Sequence, residues 1–203
     1  MYQQAVFDSA DRAQRADLIR RFPLAQVHVS DGQEFFSTPL PLVLEVLADG
    51  TEILHGHISR HNPQLSLLQA RLKANLTFQG EQAYISSAWL QDRRYAPTWN
   101  YEFLQCEVEL EFDESQQGIY QALKRLIAQM DAAEAVPWEI QESPRLAILA
   151  QHIIAFKAKI IRSRLVLKLG QGDSPELIAD ALQGLRRNAQ NSMATRMEQY
   201  LAN

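Results

Sequence analysis

Residues 55–64 contain the densest group of side chains that could do chemistry. Its candidates are three histidines, a serine and an arginine: His55, His57, Ser59, Arg60 and His61. Arg60 is the best candidate for holding a phosphate, because a guanidinium donates paired hydrogen bonds and a helix opened by Pro63 would add its N-terminal amides. His57 either contacts a ligand or has a structural role. The histidine spacing matches no helix-based metal site and no carboxylate accompanies it, so we predict no metal.

A short aromatic run forms the second group. In an extended strand, Trp99 and Tyr101 share one face and Asn100 lies on the other. Two interpretations stay open for this run. The aromatic rings either pack in the core while Asn100 fixes a backbone bend, or they line a ligand groove or a dimer interface. Tyr84 and Trp89 are further candidates of the same kind.

The third group lies near the end of the last predicted strand. Lys168 and Gln171 precede Gly172, whose flexibility could let both side chains close over a bound ligand. An ordinary surface position for both residues is equally compatible with the sequence.

Nucleophilic catalysis is not predicted. Cys106 falls in the middle of a strand on its apolar face, where a cysteine behaves as a small hydrophobic residue. The chain has no Gly-x-Ser-x-Gly elbow and no glycine-rich phosphate loop of the Rossmann or Walker type.

The clearest element that would position these groups is a strand over residues 99–112. Its apolar side chains alternate with glutamates, the former being Cys106, Val108, Leu110 and Phe112 and the latter Glu107, Glu109 and Glu111. A period of two is typical of a strand with one buried face. We interpret the glutamates as its solvent face.

Turn signals and alternating patterns elsewhere predict six or seven short, largely antiparallel strands with helices inserted between them. Two pairs of strands are predicted from glycine and polar interruptions, one pair at 75–79 and 82–89 and the other at 154–161 and 164–169. Helices are predicted from Ser174 to Leu185 and over residues 189–201. The sequence therefore predicts an α+β fold with the strand spacing of a small barrel.

Composition and net charge limit the classes of protein to which this chain can belong. The chain has 203 residues, one cysteine and a formal net charge of -4. It shows no signal peptide and no apolar run approaching the roughly 18 residues that cross a bilayer, so we expect a cytoplasmic protein with no membrane partner. The acidic balance does not favour direct DNA binding, since phosphate contacts require a basic face.

Several segments resemble the PaiB family, and they are collinear over nearly the whole chain. The matching segments are Met1-Tyr2 with Phe7, Pro39-Leu40-Pro41-Leu42, Gly56-His57-Ile58-Ser59-Arg60-His61-Asn62-Pro63-Gln64, Phe78-Gln79-Gly80, Ala83-Tyr84-Ile85-Ser86, Pro97-Thr98-Trp99-Asn100-Tyr101, Pro137-Trp138 and Lys168-Leu169 with Gln171. The run from Pro97 to Tyr101 matches the most distinctive motif of the family without a change. Together with the Gly-His and Asn-Pro-Gln motif it makes the resemblance specific.

The resemblance implies an antiparallel split β-barrel of the pyridoxamine-phosphate-oxidase-like, FMN-binding kind, with inserted helices and a helical C-terminus. It implies a homodimer with a flavin site in the groove between subunits, and a role as a negative regulator of transcription. The expected cofactor is FMN. The cofactor-binding residues that the motifs imply are His57, Ser59, Arg60, Tyr84, Trp89, Thr98, Trp99, Asn100, Lys168 and Gln171.

Three departures from the family pattern bear on the cofactor. Pro39 replaces a histidine and Leu90 replaces an aromatic residue. Gly170 and Gly172 stand where the family has polar side chains. These changes are expected to weaken FMN binding if the lost groups contact the flavin.

Two alternatives to a flavin-dependent regulator stay open. One is a flavin-dependent oxidoreductase on the same barrel, and the other is a barrel that has lost FMN. In each case residues 1–172 are predicted to form the split barrel and residues 173–203 a C-terminal helical extension.

Overall fold

The structure is a computed structural model that describes residues 5–134 and 144–202. Within those residues eight strands are present: β1 (Asp8–Ser9), β2 (Leu24–Ser30), β3 (Phe35–Pro41), β4 (Val43–Val46), β5 (Glu52–Ser59), β6 (Lys73–Ile85), β7 (Thr98–Asp113) and β8 (Ile153–Lys168). The helices are α1 (Arg12–Arg21), α2 (Leu65–Arg71), α3 (Gln116–Met130), α4 (Pro144–Ala150), α5 (Pro175–Arg187) and α6 (Asn191–Leu201). Pro137-Trp138 and the opening Met1-Tyr2 lie outside the described residues.

The helix boundaries follow from capping side chains. Ser115 starts α3 by accepting a hydrogen bond on its Oγ from the backbone N–H of Gly118, 3.0 Å away. Ser174 caps α5 in the same way, and Pro175 occupies the first turn, where its missing N–H costs nothing. The helix predicted from Ser174 is confirmed.

The strands form one antiparallel sheet in the order β3-β2-β6-β7-β8-β5-β4, with β1 paired to β8. β5 and β8 pair with His55 opposite Lys157 and His57 opposite Ala155, so these four side chains share a face. Pro39 and Pro41 lie in β3, which is an edge strand where a missing backbone donor is tolerated.

The described residues divide into two compact units. The first unit comprises residues 5–11, 79–104 and 164–202, and the second comprises residues 12–78, 105–134 and 144–163. The buried residues of the first unit come mainly from the adjoining parts of the long strands and from α5 and α6. In the second unit α1 contributes Leu18 and Ile19, both fully buried.

The alternation predicted for residues 99–112 is confirmed in β7. Cys106, Val108 and Leu110 are buried, whereas Glu109 and Glu111 are exposed. Burial of the apolar face is what selects the strand register, because a shift of one residue would bury the glutamates.

Two predicted interruptions are wrong. Residues 73–85 form one continuous strand, β6, although Gly80 suggested a turn. A Cβ at Gly80 would lie 2.8 Å from the Cβ of Glu102, so this glycine allows a close approach of β7 rather than a turn. Residues 153–168 are likewise one strand, β8, in which the polar residues near 162 are ordinary strand positions.

No described helix is both long enough and apolar enough to cross a membrane.

Candidate functional site

The first unit brings Lys168 and Thr98 together. The Lys168 Nζ donates a hydrogen bond to the Thr98 Oγ1, which links the last residue of β8 to the first residue of β7. The same ammonium lies 5.9 Å from the centroid of the Phe7 ring. A cation and a hydroxyl side by side are the donors that a phosphate group requires.

Beside Thr98 on β7, Trp99 forms an exposed aromatic pair with Tyr84. Their ring centroids are 6.0 Å apart with the planes tilted by 51°. Trp99 is 49% exposed and Tyr84 is 47% exposed, so the two large rings present an apolar surface to the outside of this chain. The Trp99 Nε1 donates to the Gln82 Oε1 at 3.2 Å, which fixes the indole orientation.

Two other predicted site residues lie inside the first unit. Asn100 is 3% exposed and its Nδ2 lies 3.5 Å from the Met197 Sδ of α6. A Cβ placed on Gly184 of α5 would lie 2.4 Å from the Trp89 ring, so that indole packs directly on the helix backbone. In this chain Asn100 and Trp89 hold the C-terminal helices against the strands.

The loop after β8 turns on two glycines. Gly170 and Gly172 have φ of +92° and +88°, a region that residues with a side chain rarely adopt. Between them Gln171 folds back on its own strand: its Oε1 accepts from the Leu169 N–H at 2.7 Å, and its Nε2 donates to the Leu167 carbonyl. Gly170 and Gly172, which depart from the family pattern, therefore suit the backbone conformation of this turn. The hydrogen bonds of Gln171 stabilise the turn.

The first-unit groups fit the cofactor that the resemblance implies. Lys168 and Thr98 supply charge and hydroxyl for a phosphate, and Trp99 with Tyr84 supplies flat apolar surface for a ring. The turn is open at Gly172, since nothing lies within 4 Å of a Cβ built on this residue. Gln171 would have to release its backbone partners to reach a ligand.

The second unit holds the other three predicted residues. The Arg60 Nη1 donates to the Glu114 Oε2 at 2.7 Å, and both side chains line a cavity of about 440 Å³ together with Gln151. The Arg60 guanidinium therefore already has an anionic partner from the segment between β7 and α3. No local sequence pattern indicates this carboxylate, because 54 residues separate the two positions.

His57 and Ser59 lie on the face of β5 that they share with His55. Burial lowers the pKa of His57 below its ordinary value, so the imidazole is neutral at pH 7. Ser59 is exposed, and its Oγ accepts from the His61 N–H at 3.2 Å. The local bond of Ser59 shapes the turn that follows β5.

Among the described residues, neither Cys106 nor the histidines form a further reactive centre. Burial raises the pKa of the Cys106 thiol to about 12, which keeps it protonated and unreactive. Within residues 5–134 and 144–202, no group of three or more His, Cys, Asp and Glu side chains could hold a metal ion.

Comparison with solved structures identifies the class of fold. The flavocytochrome Anf3 from Azotobacter vinelandii matches with a TM-score of 0.63 and 15% identity over 88% of this chain and 78% of that one. The FAD and heme binding protein from Mycobacterium smegmatis matches with a TM-score of 0.55 and 20% identity over 85% and 78% of the two chains. The fold is an α+β antiparallel split β-barrel, as the sequence predicts.

The sequence comparisons then identify the family. Residues 1–162 match the family described as "Putative FMN-binding domain". The chain is also 29% identical over 168 residues to the Protease synthase and sporulation protein PAI 2 of Bacillus subtilis (strain 168), covering 81% of this chain and 79% of that protein. The chain belongs to this FMN-binding family, and its resemblance to PaiB is confirmed.

Proposed function

We propose that this chain binds FMN and acts as a PaiB-like negative regulator of transcription. The contact between Lys168 and Thr98 beside the exposed Trp99 carries the FMN part of the proposal. Bound FMN would supply a redox-active isoalloxazine ring and a phosphate dianion. Membership in the FMN-binding family supports the same assignment.

In this proposal the two ends of the ligand are held by different groups. Lys168 and Thr98 bind the phosphate through a charge-assisted hydrogen bond and a hydroxyl. Trp99 and Tyr84 flank the ring and exclude water from it. Arg60, in the second unit, is an alternative phosphate candidate, which would have to exchange Glu114 for the ligand.

Three flavins distinguish binding of the phosphate from binding of the ring. Riboflavin shares the ring with FMN but lacks the phosphate, whereas FAD carries a larger diphosphate. We expect FMN to bind more tightly than riboflavin by about tenfold or more, the cost of one lost charge-assisted interaction. Equal affinities in fluorescence titrations would remove the phosphate-binding role from Lys168 and Thr98.

We further propose that the protein acts as a homodimer, in which the exposed Trp99 and Tyr84 rings are covered by a second copy. Two large aromatic rings that are about half exposed are typical of an interface or a ligand groove. Sedimentation velocity at several protein concentrations tests this part. A monomer at every concentration would contradict it.

The regulatory role is supported by the resemblance to the PaiB family, and the name of the Bacillus subtilis relative refers to a protease synthase and to sporulation. A formal charge of -4 argues for a role through a partner protein or a small ligand rather than through DNA alone. Gel-shift assays with promoter DNA at low salt, with and without FMN, test direct contact. Steady NAD(P)H consumption with added FMN would instead assign an oxidoreductase.

A further inference from the structure

Two exposed histidines come together in the second unit. His61 lies in the turn after β5, and His152 immediately precedes β8. Their ring centroids are 6.1 Å apart, and the ring planes are tilted by 39°. Within the described part of the chain, neither imidazole has a hydrogen-bond or ion-pair partner. The ring nitrogens of both residues are therefore available to a ligand from the surrounding solution.

The backbone holds the two histidines near each other. Ser59 and Ile153 are opposite each other in the last pair of the β5–β8 ladder. Just beyond that pair the Arg60 N–H donates to the His152 carbonyl at 2.9 Å, so the backbone pairing continues as far as the histidines. The His61 N–H donates to the Ser59 Oγ at 3.2 Å, which shapes the turn. The backbone positions of both histidines are thus fixed before any ligand binds.

The separation of the two rings suits a shared metal ion. A metal–nitrogen bond of about 2.1 Å puts an imidazole centroid about 3.2 Å from the metal. Two rings on one metal therefore have centroids about 5.2 Å apart at a tetrahedral angle and about 6.4 Å apart at most. The observed 6.1 Å lies below that maximum. Tetrahedral binding requires the rings to approach by about 1 Å, which two exposed side chains achieve by small torsional changes.

The ligand chemistry selects the class of metal. Neutral imidazole is the commonest protein ligand for metals, and it suits Cu²⁺, Ni²⁺ and Zn²⁺, whereas Mg²⁺ and Ca²⁺ prefer oxygen ligands. The neighbouring charge of Arg60 is balanced by Glu114, because their side chains form an ion pair at 2.7 Å. Arg60 therefore opposes a cation at the histidines only weakly.

We propose that His61 and His152 together bind one transition-metal ion of the class Cu²⁺, Ni²⁺ and Zn²⁺. Two protein ligands are fewer than the four of a structural zinc site, so water fills the remaining positions and the ion exchanges with the solution. The bound ion links the turn after β5 to the start of β8 and stabilises the folded chain. The site responds in this way to the concentration of available metal.

Titration of the full chain with Cu²⁺ tests the proposal, with no histidine tag and no flavin present and at about pH 7.5, where imidazole is mostly neutral. We expect saturable binding of one Cu²⁺ per chain, and electron paramagnetic resonance should show two coordinated imidazole nitrogens. Ni²⁺ and Zn²⁺ should bind more weakly than Cu²⁺, and Mg²⁺ should not bind. The absence of saturable Cu²⁺ binding, or a spectrum with a single imidazole nitrogen, would overturn the proposal.

Single variants locate the bound ion. His61→Gln and His152→Gln should each weaken Cu²⁺ binding by about tenfold or more, because the remaining imidazole binds the ion alone. Both positions are exposed, so folding should be unchanged, which circular dichroism checks. His28→Gln is the control, since it removes an imidazole from β2, which two strands separate from β8. An equal loss in all three variants, or unchanged binding in either His61→Gln or His152→Gln, would overturn the proposal.

Thermal unfolding gives a second measurement of the same site. Saturating Zn²⁺ should raise the unfolding midpoint of the parent protein and of His28→Gln, but not that of His61→Gln or His152→Gln, because only a bound ion stabilises the folded chain. An equal rise in all four proteins would place the metal elsewhere and overturn the proposal. No flavin is present in these measurements, so their outcome is independent of whether the protein binds FMN.

Discussion

The Lys168 ammonium donates a hydrogen bond to the Thr98 hydroxyl and so joins the end of β8 to the start of β7. Within the described part of the chain, no carboxylate forms an ion pair with Lys168. Arg60, in contrast, is 2.7 Å from Glu114. A cation whose partner is a neutral hydroxyl can bind a ligand phosphate without first losing an ion pair. Lys168 is therefore the stronger phosphate candidate.

The second phosphate candidate, Arg60, gives a two-sided prediction. If Arg60 rather than Lys168 holds the phosphate, Arg60→Ala should weaken FMN binding by about tenfold, because one cationic donor is lost. Glu114→Gln should strengthen FMN binding, because the guanidinium no longer has a competing carboxylate. Fluorescence titration of FMN checks both variants, with circular dichroism as the control for folding. Unaltered affinity in both would exclude Arg60 from the phosphate site.

The exposed indole of Trp99 is predicted to act on binding rather than on folding. Trp99→Leu should raise the Kd for FMN by about fivefold, equivalent to about 1 kcal/mol of aromatic contact. The free energy of unfolding should change little, since the ring is 49% exposed. Tyr95→Leu is the control, because Tyr95 is equally exposed at 50%. The prediction is wrong if both variants bind FMN like the parent protein.

The buried ion pair between Glu102 and Arg196 should be essential for stability. Glu102 is fully buried, and its Oε1 accepts from the Arg196 Nε at 2.5 Å. Arg196→Met would remove a cationic partner from this buried carboxylate and should lower the free energy of unfolding by about 3 kcal/mol. Arg186→Met removes an exposed pair with Glu198 and should cost less than about 1 kcal/mol. Urea denaturation compares the two losses, and equal losses would contradict the prediction.

The pKa values of three histidines predict how the free energy of unfolding depends on pH. Burial lowers the pKa values of His28, His55 and His57 in the folded chain. The unfolded chain therefore binds more protons than the folded chain as pH falls through about 6.5, and the free energy of unfolding should decrease between about pH 7 and pH 5.

The variant His57→Gln tests this pH dependence directly. The decrease in the free energy of unfolding at acid pH should be smaller in this variant, because it lacks the imidazole whose pKa differs between the folded and the unfolded chain. His61→Gln, at an exposed position, is the matched control. Urea denaturation over the pH range gives the slopes. A slope for His57→Gln that equals that of the parent protein would rule out His57 as a contributor.

The sequence predicted the elements whose signals are local. The alternation around Cys106 in β7 and the serine and proline at the start of α5 each depend on neighbouring residues alone. Gly80 does not form the turn that the sequence predicts. Its role depends on tertiary structure, because the absence of a side chain lets Glu102 of β7 approach the backbone of β6. A glycine gives the same local signal in a turn and in a close strand contact.

For the same reason, the sequence predicts only part of the candidate site. Motifs pointed to Arg60 and Lys168, but their partners are distant in sequence, and no local pattern indicates them. Glu114 is 54 positions from Arg60, and Thr98 is 70 positions from Lys168. No local pattern indicates the pairing of Glu45 with His55 either, since the carboxylate comes from a neighbouring strand.

The most direct measurement is an FMN titration of the purified protein, of Lys168→Gln and of Lys159→Gln, followed by flavin absorbance and fluorescence. We predict saturable binding of one FMN per chain to the parent protein and to Lys159→Gln. Affinity should be about tenfold lower for Lys168→Gln, as one charge-assisted hydrogen bond to the phosphate is lost. A parent protein that ignores FMN, or a Lys168→Gln variant that binds FMN as tightly as the parent, would contradict the account.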